Sequence, residues 1–285
     1  MNSSFVTVSV PGTTANVGPG FDSFGIALSV ANNVTVSIKS PALPHPSIVQ
    51  EAARSFFLGS SLTPFDFSWK ISGKVPRARG LGSSVTVRLG VLMGLNALAG
   101  SPLSRSGLFR LCAELEGHPD NAAPAMLGGF TIARSGRDPI RYPVSPSLRF
   151  VLLIPDFEVA TPDARRVMPK SIGIPEAAAN AADAAVIAAA FATLDYDLLR
   201  GAFEDRLHQP FRAPLVPFLH DVITAGEDAG ALGGWLSGSG STICCLAGGE
   251  SVARKVSLAM RRKAPKGSLC LICSADNKGA SVIKS

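Results

Sequence analysis

Residues 74–84 read Lys-Val-Pro-Arg-Ala-Arg-Gly-Leu-Gly-Ser-Ser and run straight into an apolar helical pattern from Val85 to Met93. No other stretch restricts the fold as strongly. Glycine lets backbone N–H groups come close to a ligand, and the first turn of a helix carries unpaired donors and partial positive charge. Anions, above all phosphates, are favoured there. Ser83 and Ser84 add hydroxyls able to cap the helix or to reach a metal-bound phosphate. The common P-loop spacing ends in Gly-Lys-Ser/Thr, and no lysine follows Gly82. Taken alone, the five residues from Gly80 to Ser84 fit either a phosphate cradle of another kind or an ordinary capped helix.

The rest of the chain alternates short strands with helices. Residues 5–10 alternate as a strand and end in residues 11–22, a loop dense in turn formers. Strands follow at 26–30 and 33–38, a loop at 41–46, a short helix at 47–58, and a strand at 65–71 that leads into the glycine loop. The helix after it covers 84–98, and Gly100 closes it. A second helix, 104–116, stops at Gly-His-Pro-Asp-Asn, and 122–127 makes a new helical turn. Strands are expected at 130–134 and 150–154, then helices at 161–168, 177–194, 197–207 and 216–229. Strands at 235–237 and 242–247, a helix at 251–262 and a strand at 269–273 complete the pattern. It changes character near residue 150, so the expectation is an α+β fold in two subdomains, 1–150 and 151–285.

Composition narrows the function classes. Apolar residues make up 46% and charged residues 17%, the balance of a globular chain with ample core material. The net charge is +6, but the basic residues are scattered, only Arg261-Arg262-Lys263 forms a run, and the 7% of aromatics do not alternate with them. That is not the surface pattern of a nucleic-acid binder, and a mild basic excess suits an enzyme of anionic substrates. Of the five cysteines, Cys270 and Cys273 have metal-like spacing, but they sit on opposite faces of a strand pattern, so buried, reduced thiols are expected. The alanine-rich run 177–194 is interrupted by Asn180 and Asp183 and reads as a core helix, not a membrane span. The N-terminus has no basic-then-apolar signal pattern, so the expected location is the cytoplasm.

Four stretches need one explanation. Residues 11–22 are Pro-Gly-Thr-Thr-Ala-Asn-Val-Gly-Pro-Gly-Phe-Asp, and 79–84 are Arg-Gly-Leu-Gly-Ser-Ser. Residues 116–121 are Glu-Gly-His-Pro-Asp-Asn, with Ala123-Pro124-Ala125 and Gly128-Gly129 beyond, and 236–242 are Leu-Ser-Gly-Ser-Gly-Ser-Thr. In this order they resemble the GHMP small-molecule kinases. Within that superfamily they match the homoserine kinases, which carry Asn-x-Gly-x-Gly-Phe-Asp near the start and Glu-Gly-His-Pro-Asp-Asn in mid-chain. The resemblance runs from about Val8 to Ala247. It implies a two-subdomain GHMP kinase fold, with an N-terminal part like domain 2 of ribosomal protein S5 and a ferredoxin-like C-terminal part.

The resemblance also implies roles. ATP phosphates would lie on the loop of Pro76, Arg77, Ala78, Arg79, Gly80, Leu81, Gly82, Ser83, Ser84, Val85 and Thr86, with Ser237, Gly238, Ser239 and Gly240 closing over them. Ser84 and Glu116 would hold Mg²⁺, the hard oxygen donors that ion takes. Asn16, Asp22, His118 and Asn121 would form an amino-acid pocket, Asp22 pairing with the substrate ammonium. Arg165 and Arg212 match arginines that grip the substrate carboxylate, where a guanidinium fork bonds two oxygens. Thr161 matches a threonine near the transferred phosphate, and Asn121 would touch the reacting hydroxyl. Asp120 stands where some relatives keep a base, while a loose transition state can proceed by positioning alone, so its part stays open.

The chain departs from the family pattern in Gly12 and Thr14 of the first motif, in Arg79, Val85 and Thr86 around the second, and in Ser239 and Ser241 of the fourth. The expected activity is phosphorylation of the L-homoserine side chain by ATP and Mg²⁺, feeding threonine synthesis. A homodimer is left open, and neither a nucleic acid nor a membrane is an expected partner. The rivals are a superfamily kinase for mevalonate or shikimate and, since the N-terminal fold is shared with ribosomal domains, an RNA-binding protein.

Overall fold

The computed structural model describes residues 4–38 and 45–284. Most of the loop expected at 41–46 lies outside them. Strand β1 (Phe5–Ala15) buries Val6, Val8 and Val10, the alternate residues that mark a half-buried strand. Residues 26–30 and 33–38, expected as two strands, are one continuous strand, β2 (Phe24–Ser37). It pairs with β1 along its length, with a shift of register between Pro11 and Thr13. That pairing carries β1 through the turn formers at 11–15, and the loop begins only at Asn16. Next come α1 (Ser47–Ser60), β3 (Ser68–Gly73), α2 (Ser83–Leu98), α3 (Arg105–Glu116) and α4 (Ala122–Leu127). The Ser104 hydroxyl caps α3 by accepting the Gly107 N–H at 3.1 Å. Two short strands, β4 (Phe130–Ile132) and β5 (Ile140–Tyr142), complete this half.

The second half begins with β6 (Arg149–Ile154) and continues through α5 (Thr161–Arg166), α6 (Ile174–Thr193) and a 3₁₀ turn at Tyr196–Leu199. The helix expected at 197–207 does not form beyond that turn. The Asp205 carboxylate instead accepts the N–H groups of Leu207, His208 and Gln209, which starts a separate short helix, α7 (Gln209–Arg212). Then follow α8 (Leu219–Asp228), β7 (Gly233–Leu236), β8 (Ile243–Ala247), α9 (Glu250–Lys263), β9 (Leu269–Cys273) and β10 (Ser281–Lys284).

The strands form two antiparallel sheets. One has the order β10-β1-β2-β4-β5, with β3 also paired to β2; the other has the order β7-β8-β6-β9. Strand β10 returns from the C-terminal end to pair with β1, so the division at residue 150 is crossed by the tail. Helices α1 to α4 cover the first sheet around Phe56, Leu89, Leu92 and Leu95. Between the sheets, Phe24, Ile26 and Phe130 pack against Phe150, Leu152 and Leu246, together with Phe191 of α6. The other face of the second sheet packs Val151, Leu153 and Cys245 against α8 and α9. With both faces covered, β8 is an unbroken buried run, Ile-Cys-Cys-Leu-Ala.

Helix α6 is not the core helix its composition suggests. Only Asn180, Ile187, Ala190 and Phe191 are buried, and the alanines of its other faces are exposed. Its length and apolarity alone would suit a membrane crossing. Its polar residues are spent within the fold instead: Asn180 donates to the Pro19 carbonyl and accepts the Arg206 N–H, and Asp183 pairs with Arg206. Cys270 and Cys273 lie on opposite faces of β9 as free thiols, Cys273 in the inter-sheet core and Cys270 against α9.

Candidate active site

The ends of both sheets and the start of α2 enclose a cavity of about 870 Å³. All four glycine-rich or polar motifs reach it. Gly82 precedes α2 with φ 66°, no side chain caps the helix, and its first turn contains no acidic residue. The donors of that turn are therefore free for an anion. Gly80 and Gly82 both adopt left-handed backbone, and a side chain would collide with the Ser237 carbonyl at one and with Thr13 Oγ1 at the other. The loop is thus pinned between the first and fourth motifs. The Thr13 N–H donates to the Leu81 carbonyl at 3.1 Å, and Ser237 Oγ donates to the Gly80 carbonyl at 2.6 Å.

Residues of the expected cradle divide by placement. Arg77, Ala78, Arg79, Gly80, Gly82, Ser83, Ser84, Gly238 and Ser239 line the cavity. Leu81, Val85 and Thr86 are buried, and Pro76, Ser237 and Gly240 do not line the cavity. Thr86 Oγ1 accepts from Asn32 Nδ2, and Asn32 Oδ1 accepts the Val75 N–H, so the Asn32 side chain ties β2, the loop and α2 together. The Arg79 guanidinium turns to the stretch before α5, donating to the Pro155 carbonyl at 3.0 Å and pairing with Glu158 at 3.1 Å.

Ser84 and Glu116 meet at the cavity wall, the Ser84 hydroxyl donating to Glu116 Oε2 at 2.8 Å. Among the described residues no three His, Cys, Asp or Glu side chains stand close enough to hold a metal ion by themselves. A hydroxyl and a carboxylate side by side fit Mg²⁺, a hard ion that completes its octahedron with water and phosphate oxygens.

Across the cavity stand the residues of the expected amino-acid pocket. Arg165 of α5 grips Asp22 in a two-pronged pair at 2.8 and 2.7 Å, each side chain about one-third exposed. Asn16 is buried and committed to the scaffold: its Nδ2 donates to the Gly238 carbonyl, and its Oδ1 accepts the Asp22 N–H. Arg212 is buried too, donating to the carbonyls of Ala164 and Gly238. Burial and the nearby Arg165 bring its guanidinium down to about 10, so it stays cationic at neutral pH. Burial, then Arg165, lowers the pKa of His118. Asp120 is buried, its carboxyl raised to about 7 by desolvation and then by the Asp22 charge. It accepts the Asn121 N–H at 2.9 Å, while Asn121 Oδ1 accepts from Thr13 Oγ1 at 2.6 Å. Thr161 opens α5 at the cavity wall.

Two groups were not singled out from the sequence. Phe21 lies under both arginines, 5.1 Å from Arg165 and 5.2 Å from Arg212, and stacks on His208. Its only signal was its place inside the first motif. At the other end of the cavity, Ile48, Trp69, Ile71 and Val87 form an apolar lobe of the kind that accepts a nucleobase. Trp69 and Ile71 share one face of β3, but alternation alone does not tell a ligand-facing strand from a core-facing one.

Comparison with known proteins gives the family and the fold. The family model for the N-terminal domain of GHMP kinases matches residues 47–129, and that for their C-terminal domain matches residues 187–266. The chain belongs to the GHMP kinase family and has its fold. Its curated relatives include the homoserine kinase of Moorella thermoacetica, 39% identical over 97% of this chain and 99% of that protein. The homoserine kinase of Carboxydothermus hydrogenoformans is 38% identical over 88% of each. Among solved structures, the homoserine kinase of Cytophaga hutchinsonii superposes with a TM-score of 0.90 at 28% identity, over 99% of this chain and 98% of that one.

Proposed function

We propose that this chain transfers the terminal phosphoryl group of ATP to the side-chain hydroxyl of L-homoserine, giving O-phospho-L-homoserine for threonine synthesis in the cytoplasm. One observation carries the reading: a single cavity holds an uncapped helix N-terminus at one side and Asp22, Arg165 and Arg212 at the other. The first takes phosphate and the second takes a zwitterion. ATP is the co-substrate of this family, and the apolar lobe at Trp69 would take its base.

Without substrate, Asp22 and Arg165 neutralise each other. The L-homoserine ammonium and carboxylate would enter this pair, with Arg212 as second carboxylate partner and the Phe21 ring against both guanidinium groups. That leaves the substrate hydroxyl toward Asn121, whose amide is held by Thr13 and Asp120. The hydroxyl oxygen forms a bond to the γ-phosphorus as the bond to the ADP oxygen breaks. The amides of Ser83 and Ser84 meet the charge on the phosphoryl oxygens. Mg²⁺, held by Ser84 and Glu116, would supply further charge neutralisation there. The substrate proton passes to Asp120, whose carboxyl changes state near neutral pH.

An ADP-release assay tests the reading. Turnover with L-homoserine is expected, and far less with its deaminated hydroxy acid, with mevalonate or with shikimate, which offer Asp22 no ammonium. Equal turnover of the deaminated acid would remove the amino-acid pocket from the account.

A further inference from the structure

Arg88 lies one turn beyond Ser84 on α2, on the same side of the helix. Its Nη1 donates to Glu116 Oε1 at 2.7 Å and its Nη2 to Glu51 Oε2 at 2.9 Å. Glu116 therefore has one oxygen fixed by a guanidinium and the other, Oε2, beside the Ser84 hydroxyl. Both side chains of the pair are largely sealed, at 16% exposure for Arg88 and 11% for Glu116, so solvent screens the interaction little. The expected metal position thus carries a permanent cation within the span of one carboxylate. Neither the motifs nor the spacing of the sequence assign Arg88 a role.

We propose that Arg88 is a positioning residue of the Mg²⁺ site that offsets the charge of Glu116 and holds its second oxygen, Oε2, toward Ser84 and the cavity, so that the protein takes the cation only together with nucleotide phosphates. The inference rests on the homoserine kinase reading, in which Ser84 and Glu116 hold Mg²⁺. A lone carboxylate and hydroxyl already bind the ion weakly, because Mg²⁺ gives up water reluctantly. A guanidinium on that carboxylate opposes a second cation, and only the negative charge of a triphosphate reverses the balance. Cation and nucleotide then arrive as one unit, and a cation without nucleotide does not occupy the site. The Glu51 contact on the far side keeps the guanidinium from swinging into the cavity.

Mn²⁺ binding followed by electron paramagnetic resonance provides the test, on the whole protein with and without a non-hydrolysable ATP analogue. The proteins needed are the wild type, Arg88→Lys, Arg88→Gln, Arg88→Met, Glu116→Gln and the double variant Arg88→Gln/Glu116→Gln. Without nucleotide, Arg88→Gln and Arg88→Met are expected to bind Mn²⁺ at least about tenfold more tightly than the wild type. Arg88→Lys, which keeps the charge, should stay near the wild type, and the double variant should lose the gain. Glutamine can still bond Glu116, so it separates charge from support if methionine prevents folding. A role for Arg88 solely as a tie between α1, α2 and α3 would lower the melting temperature of these variants while leaving nucleotide-free Mn²⁺ affinity unchanged, and that result overturns the proposal. The underlying reading fails separately: Glu116→Gln would then leave Mn²⁺ affinity in the presence of the ATP analogue unaltered.

Discussion

Asp120 is buried at the cavity wall beside Asn121, its carboxyl raised to about 7 against an ordinary value of 3.8, because burial and the Asp22 charge both oppose its ionised form. A pKa raised by folding means stability that is fully present below the unfolded value and lost as the pH climbs through the folded one. Over that window, from about pH 4 to about pH 7, the protein should lose up to about 4 kcal/mol through this group alone. Asp120→Asn should therefore gain stability relative to the wild type between pH 4 and pH 8, read as the difference in thermal midpoints. The same variant should lower kcat about a hundredfold and erase the acid limb of its pH profile. An unchanged kcat would show that transfer proceeds by positioning alone. For substrate binding, Asp22→Ala and Arg212→Ala should each raise the KM for L-homoserine by about ten- to a hundredfold, the worth of a charged hydrogen bond. The KM for ATP should stay nearly constant; steady-state kinetics with each substrate varied in turn would expose exchanged subsites. Phe21 and Arg88 act through partners far away in the chain, on α5, α7 and α3, and no local pattern announces such partners.

At the scale of the element, α2 matters most. Its apolar run and the glycines before it made its boundaries readable to within one residue, because a buried helix that starts at a left-handed glycine leaves both signals in the sequence. The helix expected at 197–207 had the right apolar spacing, but Asp205 offers its carboxylate to three backbone N–H groups and starts a new turn instead. Strand β10 reads Ser-Val-Ile-Lys, all exposed, and only its pairing with β1 makes it a strand. Gly82→Ala tests the element directly. It forces a left-handed backbone on a residue with a side chain and drives that side chain into Thr13, so about 2–4 kcal/mol of stability should be lost. Urea unfolding measures that loss, and a variant as stable as the wild type would mean that the loop has room to relax.

The whole molecule is arranged so that neither sheet forms the cavity alone. Trp235 of the second sheet donates its indole N–H to Thr14 of the first at 2.9 Å, deep in the core. Gly238 takes hydrogen bonds from Asn16 on one side and Arg212 on the other. Thr14→Val keeps the shape and leaves the indole N–H unpaired, so it should cost about 1–3 kcal/mol, seen as a lower urea midpoint with an unchanged slope. The expected division at residue 150 left no place for the return of β10 to the first sheet, since pairing between chain ends leaves no local trace. The four motifs supplied a little under half of the cavity wall; the apolar lobe at Trp69 came only from the packing of β3 beside α2.

The most direct test is a crystal structure of the protein with a non-hydrolysable ATP analogue, Mg²⁺ and L-homoserine. The account predicts the terminal phosphate on the Ser83 and Ser84 amides, with the amino acid's carboxylate on Arg165 and Arg212 and its hydroxyl facing that phosphate beside Asn121. A triphosphate lodged away from the start of α2, or an amino acid bound with its charged groups turned away from Asp22 and the two arginines, would contradict it.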